Sequence, residues 1–97
     1  MYVHIRLYGV FRSAAQASEI DLETTDQNPT VKSVLAQLMS QASLAPLRQL
    51  LIDHETSDPR PNALIMVSGR EINALQGLDT KLSRSDELAL LPVAHGG

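Results

Sequence analysis

The chain ends in Pro92-Val93-Ala94-His95-Gly96-Gly97, and this segment carries the most pointed chemistry in the sequence. With average glycine usage of ~7%, a terminal pair arises by composition alone in only ~0.5% of chains. Glycine lacks a Cβ, so a narrow channel can admit it in backbone conformations that other residues avoid. A glycine carboxylate is also unhindered: a nucleophile or an ATP phosphate approaching the acyl carbon meets only hydrogens on the α-carbon. Six extended residues reach ~20 Å at ~3.3–3.6 Å each. That length takes Gly97 into another protein's active site while a folded body stays outside, with Pro92 restraining the base.

Other groups offer less. The sequence has no cysteine, which excludes disulfides, thiolate metal sites and a cysteine nucleophile. His4, His54 and His95 fall on different predicted elements without metal-ligand spacing. Asp53-His54-Glu55 with Asp58 reads as a solvated loop, and Ser83 and Ser85 have no neighbouring histidine to activate them. No glycine-rich loop has the form of a phosphate cradle. No metal site and no catalytic residue are therefore expected on this chain.

The body that must carry the terminal segment is small. Its 97 residues, 43% hydrophobic and 20% charged, are enough for one globular unit. Aromatics make up only 3%, so the core is expected to be aliphatic. The longest apolar run falls well short of the ~18 residues of a membrane span, and the N-terminus alternates like a strand rather than a signal peptide, so a cytoplasmic protein is expected. The net charge of −3 argues against a nucleic-acid partner. The acidic excess lies in residues 49–97, which hold seven acidic and four basic side chains. It serves either solubility or a positively charged partner surface.

Tyr2 to Tyr8 alternates, with Val3, Ile5 and Leu7 on one side and His4 and Arg6 on the other, which predicts a half-buried strand. Phe11 to Ala17 reads as a connection, and Ser18 to Thr25 as a second strand completing a hairpin. Thr30 is a helix N-cap candidate; Val31, Val34, Leu35, Leu38 and Ala42 then form one apolar helical stripe. Pro46 prevents that helix from running on, and Leu47 to Ile52 predicts a short helical piece or a lid. An exposed loop over 53–62 precedes a strand from Ala63 to Val67, a Ser68-Gly69 turn, irregular structure over 74–85 and a last strand from Glu87 to Leu91. The predicted architecture is α+β: a mixed sheet of four to five strands with one main helix on one face, the β-grasp or ubiquitin-like arrangement. Residues 1–91 form the expected domain and 92–97 a flexible tail. The outer sheet face would then present His4, Arg6, Leu64, Met66, Ala89 and Leu91. Leu64, Met66 and Leu91 make an apolar patch beside the tail, unless segment 44–62 covers it.

The stretch Ile72–Gly97 resembles the MoaD/ThiS family of ubiquitin-like sulfur carriers, particularly the MoaD-like branch that includes the molybdopterin synthase small subunit and archaeal small modifier proteins. The matching residues are Gly69, Gly77-Leu78-Asp79-Thr80, Leu82, Asp86-Glu87, Leu88, Pro92, Gly96 and Gly97. The opening strand, the Thr30-started helix and the length extend the likeness to essentially the whole chain. Ser68 replaces the usual turn Asn, Ser85 a turn Gly, Val93 a second proline and His95 a small residue before the diglycine.

The resemblance implies that Gly97 is adenylated by a MoeB/ThiF-like, ubiquitin-activating-type enzyme and converted to a thiocarboxylate. Gly96, His95 and Pro92 would govern access of the tail, and Leu91, Leu64, Met66, His4 and Arg6 would dock the partner. ATP and a sulfur donor would be used by the partner, with no cofactor bound to this chain. A MoaE-like large subunit of molybdopterin synthase is one implied acceptor. Target-protein lysines, joined to Gly97 by isopeptide bonds, are the alternative. A third reading is a non-covalent β-grasp interaction module with an inert tail.

Overall fold

The structure, a computed structural model, describes residues 1–93. Strand β1 (Tyr2–Leu7) is followed by helix α1 (Gly9–Ala15), β2 (Glu19–Glu23), α2 (Val31–Met39), α3 (Ala45–Leu51), β3 (Ala63–Val67), the short β4 (Arg70–Glu71) and β5 (Glu87–Pro92). Short 3-10 turns span Ala42–Leu44, Ile72–Ala74 and Gly77–Asp79. The five strands make one sheet in the order β2-β1-β5-β3-β4. β1 and β5 pair in parallel at its centre, and the other pairs are antiparallel. This is the mixed β-grasp sheet predicted from the strand order.

The alternation in β1 places its side chains as expected. Val3, Ile5 and Leu7 are buried, as are Ile65, Val67, Leu88 and Leu90 from β3 and β5. Against them packs α2, whose Val31, Val34, Leu35 and Leu38 are all buried. The helix starts with a reciprocal cap: Thr30 Oγ1 accepts from the Ser33 N–H at 3.1 Å, and Ser33 Oγ accepts from the Thr30 N–H at 2.9 Å. Two otherwise orphaned donors are thus satisfied, an arrangement worth ~1 kcal/mol.

The helical layer is larger than the sequence predicted. Where Phe11 to Ala17 is expected to be a connection, Gly9–Ala15 form α1 and bury Phe11. Tyr8, at the N-cap position, makes no side-chain cap, and the helix is closed by Gln16 in a left-handed conformation, so neither end carries the usual residue signals. α3 is the short helical piece foreseen around Leu47–Ile52, with Pro46 in its first turn, where a missing N–H leaves no hydrogen bond unmade. α3 buries Leu47 and Leu51 and packs against α1 and α2. This part of segment 44–62 therefore joins the inner layer and does not cover the outer face of the sheet.

The two turns where serine replaces a family residue are both settled by side chains. Ser68 and Gly69 both have positive φ, 49° and 84°, as a tight two-residue hairpin requires. Ser68 Oγ donates to Asp86 Oδ1 at 2.9 Å and accepts from the Glu87 N–H at 3.1 Å, tying the hairpin to the start of β5. Asp86 in turn accepts from the Ser83 N–H at 2.8 Å. Ser85 is not among the residues with positive φ, so that turn makes no demand for glycine.

Candidate functional site

β5 carries the chain from the sheet centre toward the C-terminus, and its last residues show how the tail base is held. Pro92 pairs with Ala63 of β3, so the ladder runs one residue beyond the boundary expected at Leu91. The Leu90 carbonyl accepts from the Tyr8 N–H at 3.2 Å and therefore points toward β1. Pro92, two residues on, directs its nitrogen to the same side, where β1 has already ended at Leu7. The missing N–H breaks no strand bond there. Val93 donates to the Asn62 carbonyl at 3.0 Å, and the Asn62 side chain donates to the Leu51 carbonyl at 3.2 Å. On the other flank Gly9, with φ +56°, approaches so closely that an added Cβ would stand 2.8 Å from Pro92 Cγ. The chain is thus gripped from both sides through Val93. Gly97, Gly96 and His95 lie outside the described residues.

The outer sheet face is divided. At the end where the tail leaves, Leu64 pairs with Leu91 and Met66 with Ala89 across β3 and β5. Leu64 is exposed, while Met66 and Leu91 are half-buried. The expected apolar patch is therefore shallower than three freely exposed side chains would make it. Tyr8 extends it, being exposed and aligned beside Leu91 by its bond to Leu90. The alternation in β1 already put Tyr8 on this face, although it was not picked out as a docking residue.

At the other end the face is charged. His4 Nδ1 is 2.7 Å from Asp21 Oδ1, and Nε2 lies 3.2 Å from Glu19 Oε1 and 3.8 Å from Glu87 Oε2. Arg6 Nη2 donates to Glu19 Oε1 at 2.8 Å, while its Nε, 3.9 Å from Glu87 Oε1, is buried without a hydrogen bond among the described residues. The hydrogen bond to Asp21 is the main reason that the His4 pKa is raised, with Glu19 adding to it. The Glu19 carboxyl is lowered, chiefly by Arg6 and then by His4. His4 and Arg6 are thus drawn into a network on this chain, and Arg6 also reaches the edge of the apolar patch, the Tyr8 side chain being the main reason that its pKa is raised, ahead of Glu19.

A second feature flanks the tail base on the helix side. It is a groove of about 370 Å³ between α1, α3 and the loop after α3, with Pro92 and Val93 in its wall. Val10 and Leu50 are exposed in it. Sequence reasoning singles out neither, because it gives α1 no helix and places Leu50 in a short helical piece or lid without an exposed role. Among the described residues no group of three or more His, Asp or Glu is placed to hold a metal ion, and no helix is long and apolar enough to cross a membrane.

Comparison with known proteins matches this architecture and its tail. A sequence profile of the ThiS family fits residues 5–97. A candidate sulfur carrier protein of Archaeoglobus fulgidus is 33% identical over 87 residues, covering 89% of this chain and 94% of its own. The solution structure of small archaeal modifier protein 1 from Methanosarcina acetivorans superposes with a TM-score of 0.81 at 27% identity, covering 99% of this chain and 96% of that one. CysO of Amycolatopsis orientalis, solved in complex with BexX, shares the fold with a TM-score of 0.72 at 18% identity, over 98% of this chain and 99% of that one. With the β-grasp sheet, the diglycine end and a family match over nearly its whole length, the chain belongs to the ThiS family of ubiquitin-like sulfur carriers and small modifiers.

Proposed function

We propose that this protein carries sulfur as a thiocarboxylate on Gly97 and delivers it to molybdopterin biosynthesis or a related sulfur-inserting pathway. The observation that carries the reading is the diglycine end set on a body whose sheet grips the chain through Val93 beside an apolar patch. The carboxylate of Gly97 attacks the α-phosphate of ATP on an adenylating partner, forming an acyl-adenylate and releasing pyrophosphate. Sulfide supplied by a donor then attacks the acyl carbon. A C–S bond forms as the C–O bond to AMP breaks, and AMP and a proton leave. The anhydride is activated toward this attack, and the unsubstituted α-carbon leaves the acyl carbon open. This chain supplies the reacting carboxyl, a rigid mount and a docking face, while the partner supplies the catalytic groups, ATP and the sulfur donor. A MoaE-like synthase subunit is a fitting acceptor.

A second reading, conjugation of Gly97 to target lysines, is favoured by the likeness to small archaeal modifier protein 1. Both readings need Gly97 activated. The test is intact mass after expression beside the host's adenylating enzyme and a sulfur source. A shift matching one oxygen replaced by sulfur, absent from a chain lacking Gly97, is the expected result. Unshifted mass with Gly97 joined to lysine in larger species selects the modifier. Neither product, with no ATP dependence, overturns both and leaves the interaction module.

A further inference from the structure

Six large hydrophobic side chains are exposed among the described residues: Tyr2, Tyr8, Val10, Leu50, Leu64 and Val93. All but Tyr2 stand around the base of the tail. Tyr8 and Leu64 lie on the sheet side, in the patch already described. Val10, Leu50 and Val93 line the helix-side groove, with Pro92 in the wall between. Monomeric proteins seldom concentrate exposed apolar side chains in this way without a partner.

The groove is mechanically part of the tail mount. The Gly9 backbone at the start of α1 is seated against the Pro92 ring, and Asn62 holds both Val93 and the end of α3. Val93 is therefore groove wall and the last gripped residue of the exit at once. A protein that encloses the residues after Val93 must pass over this wall. Of the four polar side chains lining the groove, two are engaged within the chain: Asp53 accepts from the Thr56 N–H and hydroxyl at 2.9 Å each, and Asn62 is bonded as above, while Gln49 and His54 stand exposed at its rim. What remains presented is mostly hydrocarbon.

The geometry points to a two-sided grip: the adenylating enzyme that takes the tail also inserts an aliphatic or aromatic side chain into the groove between Val10, Leu50 and Val93. The inference rests on the proposed activation of Gly97 and adds a second contact surface, on the opposite side of the tail from Leu64 and Leu91. It makes the helical layer, and not only the sheet, part of partner choice.

The test uses the full chain with the host's adenylating enzyme and ATP. Val10→Asp, Leu50→Glu and the milder Leu50→Gln are compared with wild type and with Tyr2→Ser, a change at an exposed site away from the tail. Dissociation constants and the rate of AMP–Gly97 formation are measured, with thermal melting as the check on folding. The acidic variants are expected to bind roughly ten-fold or more weakly at unchanged melting temperature, and Tyr2→Ser to match wild type. Amide exchange of unaltered protein should also slow over residues 9–12 and 49–54 on binding. If wild type is adenylated while the groove variants equal Tyr2→Ser and those amides gain no protection, the two-sided grip is wrong and the carrier reading stands. If wild type is not adenylated at all, the activation reading fails and the grip with it.

Discussion

Along the outer face of β5 the residues run Glu87, Ala89, Leu91, and the strands on either side follow the same gradient. Glu87 stands level with His4 and Asp21, whereas Leu91 pairs with Leu64. At the charged end His4 and Arg6 face three carboxylates of the same chain, although Arg6 Nε is left without a hydrogen bond among the described residues, so a partner would have to break existing pairs to use them. The apolar end offers hydrocarbon and few competing bonds, and the tail leaves from that end. Two halves of one sheet face thus differ in what they present, paired charges at one end and hydrocarbon at the other, and the proposed docking surface is the second. The inner face beneath is uniformly aliphatic along its whole length.

The contrast can be tested by substitution, beginning with the largest effect. Leu90 and Leu91 are neighbours on opposite faces, and Leu90 is fully buried. Leu90→Ala should lower unfolding free energy by about 2–5 kcal/mol in urea titration. Leu91→Ala should lower it far less; equal losses would mean that the outer apolar end is a second core and not a surface. Next, Leu64→Glu should weaken association with the adenylating enzyme by roughly ten-fold or more in calorimetry, with little change in melting temperature. Glu23→Gln, at the charged end, should leave binding near wild type, and the reverse ranking would overturn the assignment of the two ends.

A smaller effect is expected at the mount. Gly9→Ala places a Cβ against Pro92 in a left-handed conformation and should destabilise by about 1–2 kcal/mol, read from the denaturation midpoint. The smallest belongs to the charged network. The folded-state pKa of His4 is raised, so its contribution is fully present below the unfolded value of ~6.5 and is lost as pH rises through the folded value. Exposed pairs of this kind are worth under ~1 kcal/mol. The melting temperature should therefore fall by a few degrees at most between mildly acidic and mildly alkaline solution, and His4→Gln should remove that particular slope. A slope unchanged in His4→Gln would show that the network contributes nothing measurable.

Much of this was legible in the sequence where periodicity and capping agree. β1 alternates cleanly, Thr30 opens α2, Ser68-Gly69 turns the hairpin and the Glu87 strand leads to the diglycine. The inward set of β1, β3 and β5 could be read without error because side chains in a strand alternate strictly. α1 was not legible. A helix of seven residues with one buried side chain and no side-chain cap has almost no local signature; it is held by where Phe11 falls in the core. The helix-side groove was hidden for the same reason, since one of its walls is α1. The division of the outer face was half legible: the residue types were visible, but the pairing of His4 with Asp21 and Glu19 depends on a strand register that only the fold supplies.

The parallel pairing of β1 with β5 has a consequence for how the protein is made. The two central strands are the first and the last in the chain, so the sheet lacks its middle until Pro92 has been synthesised. Contacts this distant in sequence form late and slowly. A chain cut short before β5 has no completed core, and it has no tail to activate either. Completion of the core and of the terminal segment therefore arrive together in biosynthesis, and under the proposed carrier role an unfolded fragment offers no terminus to activate.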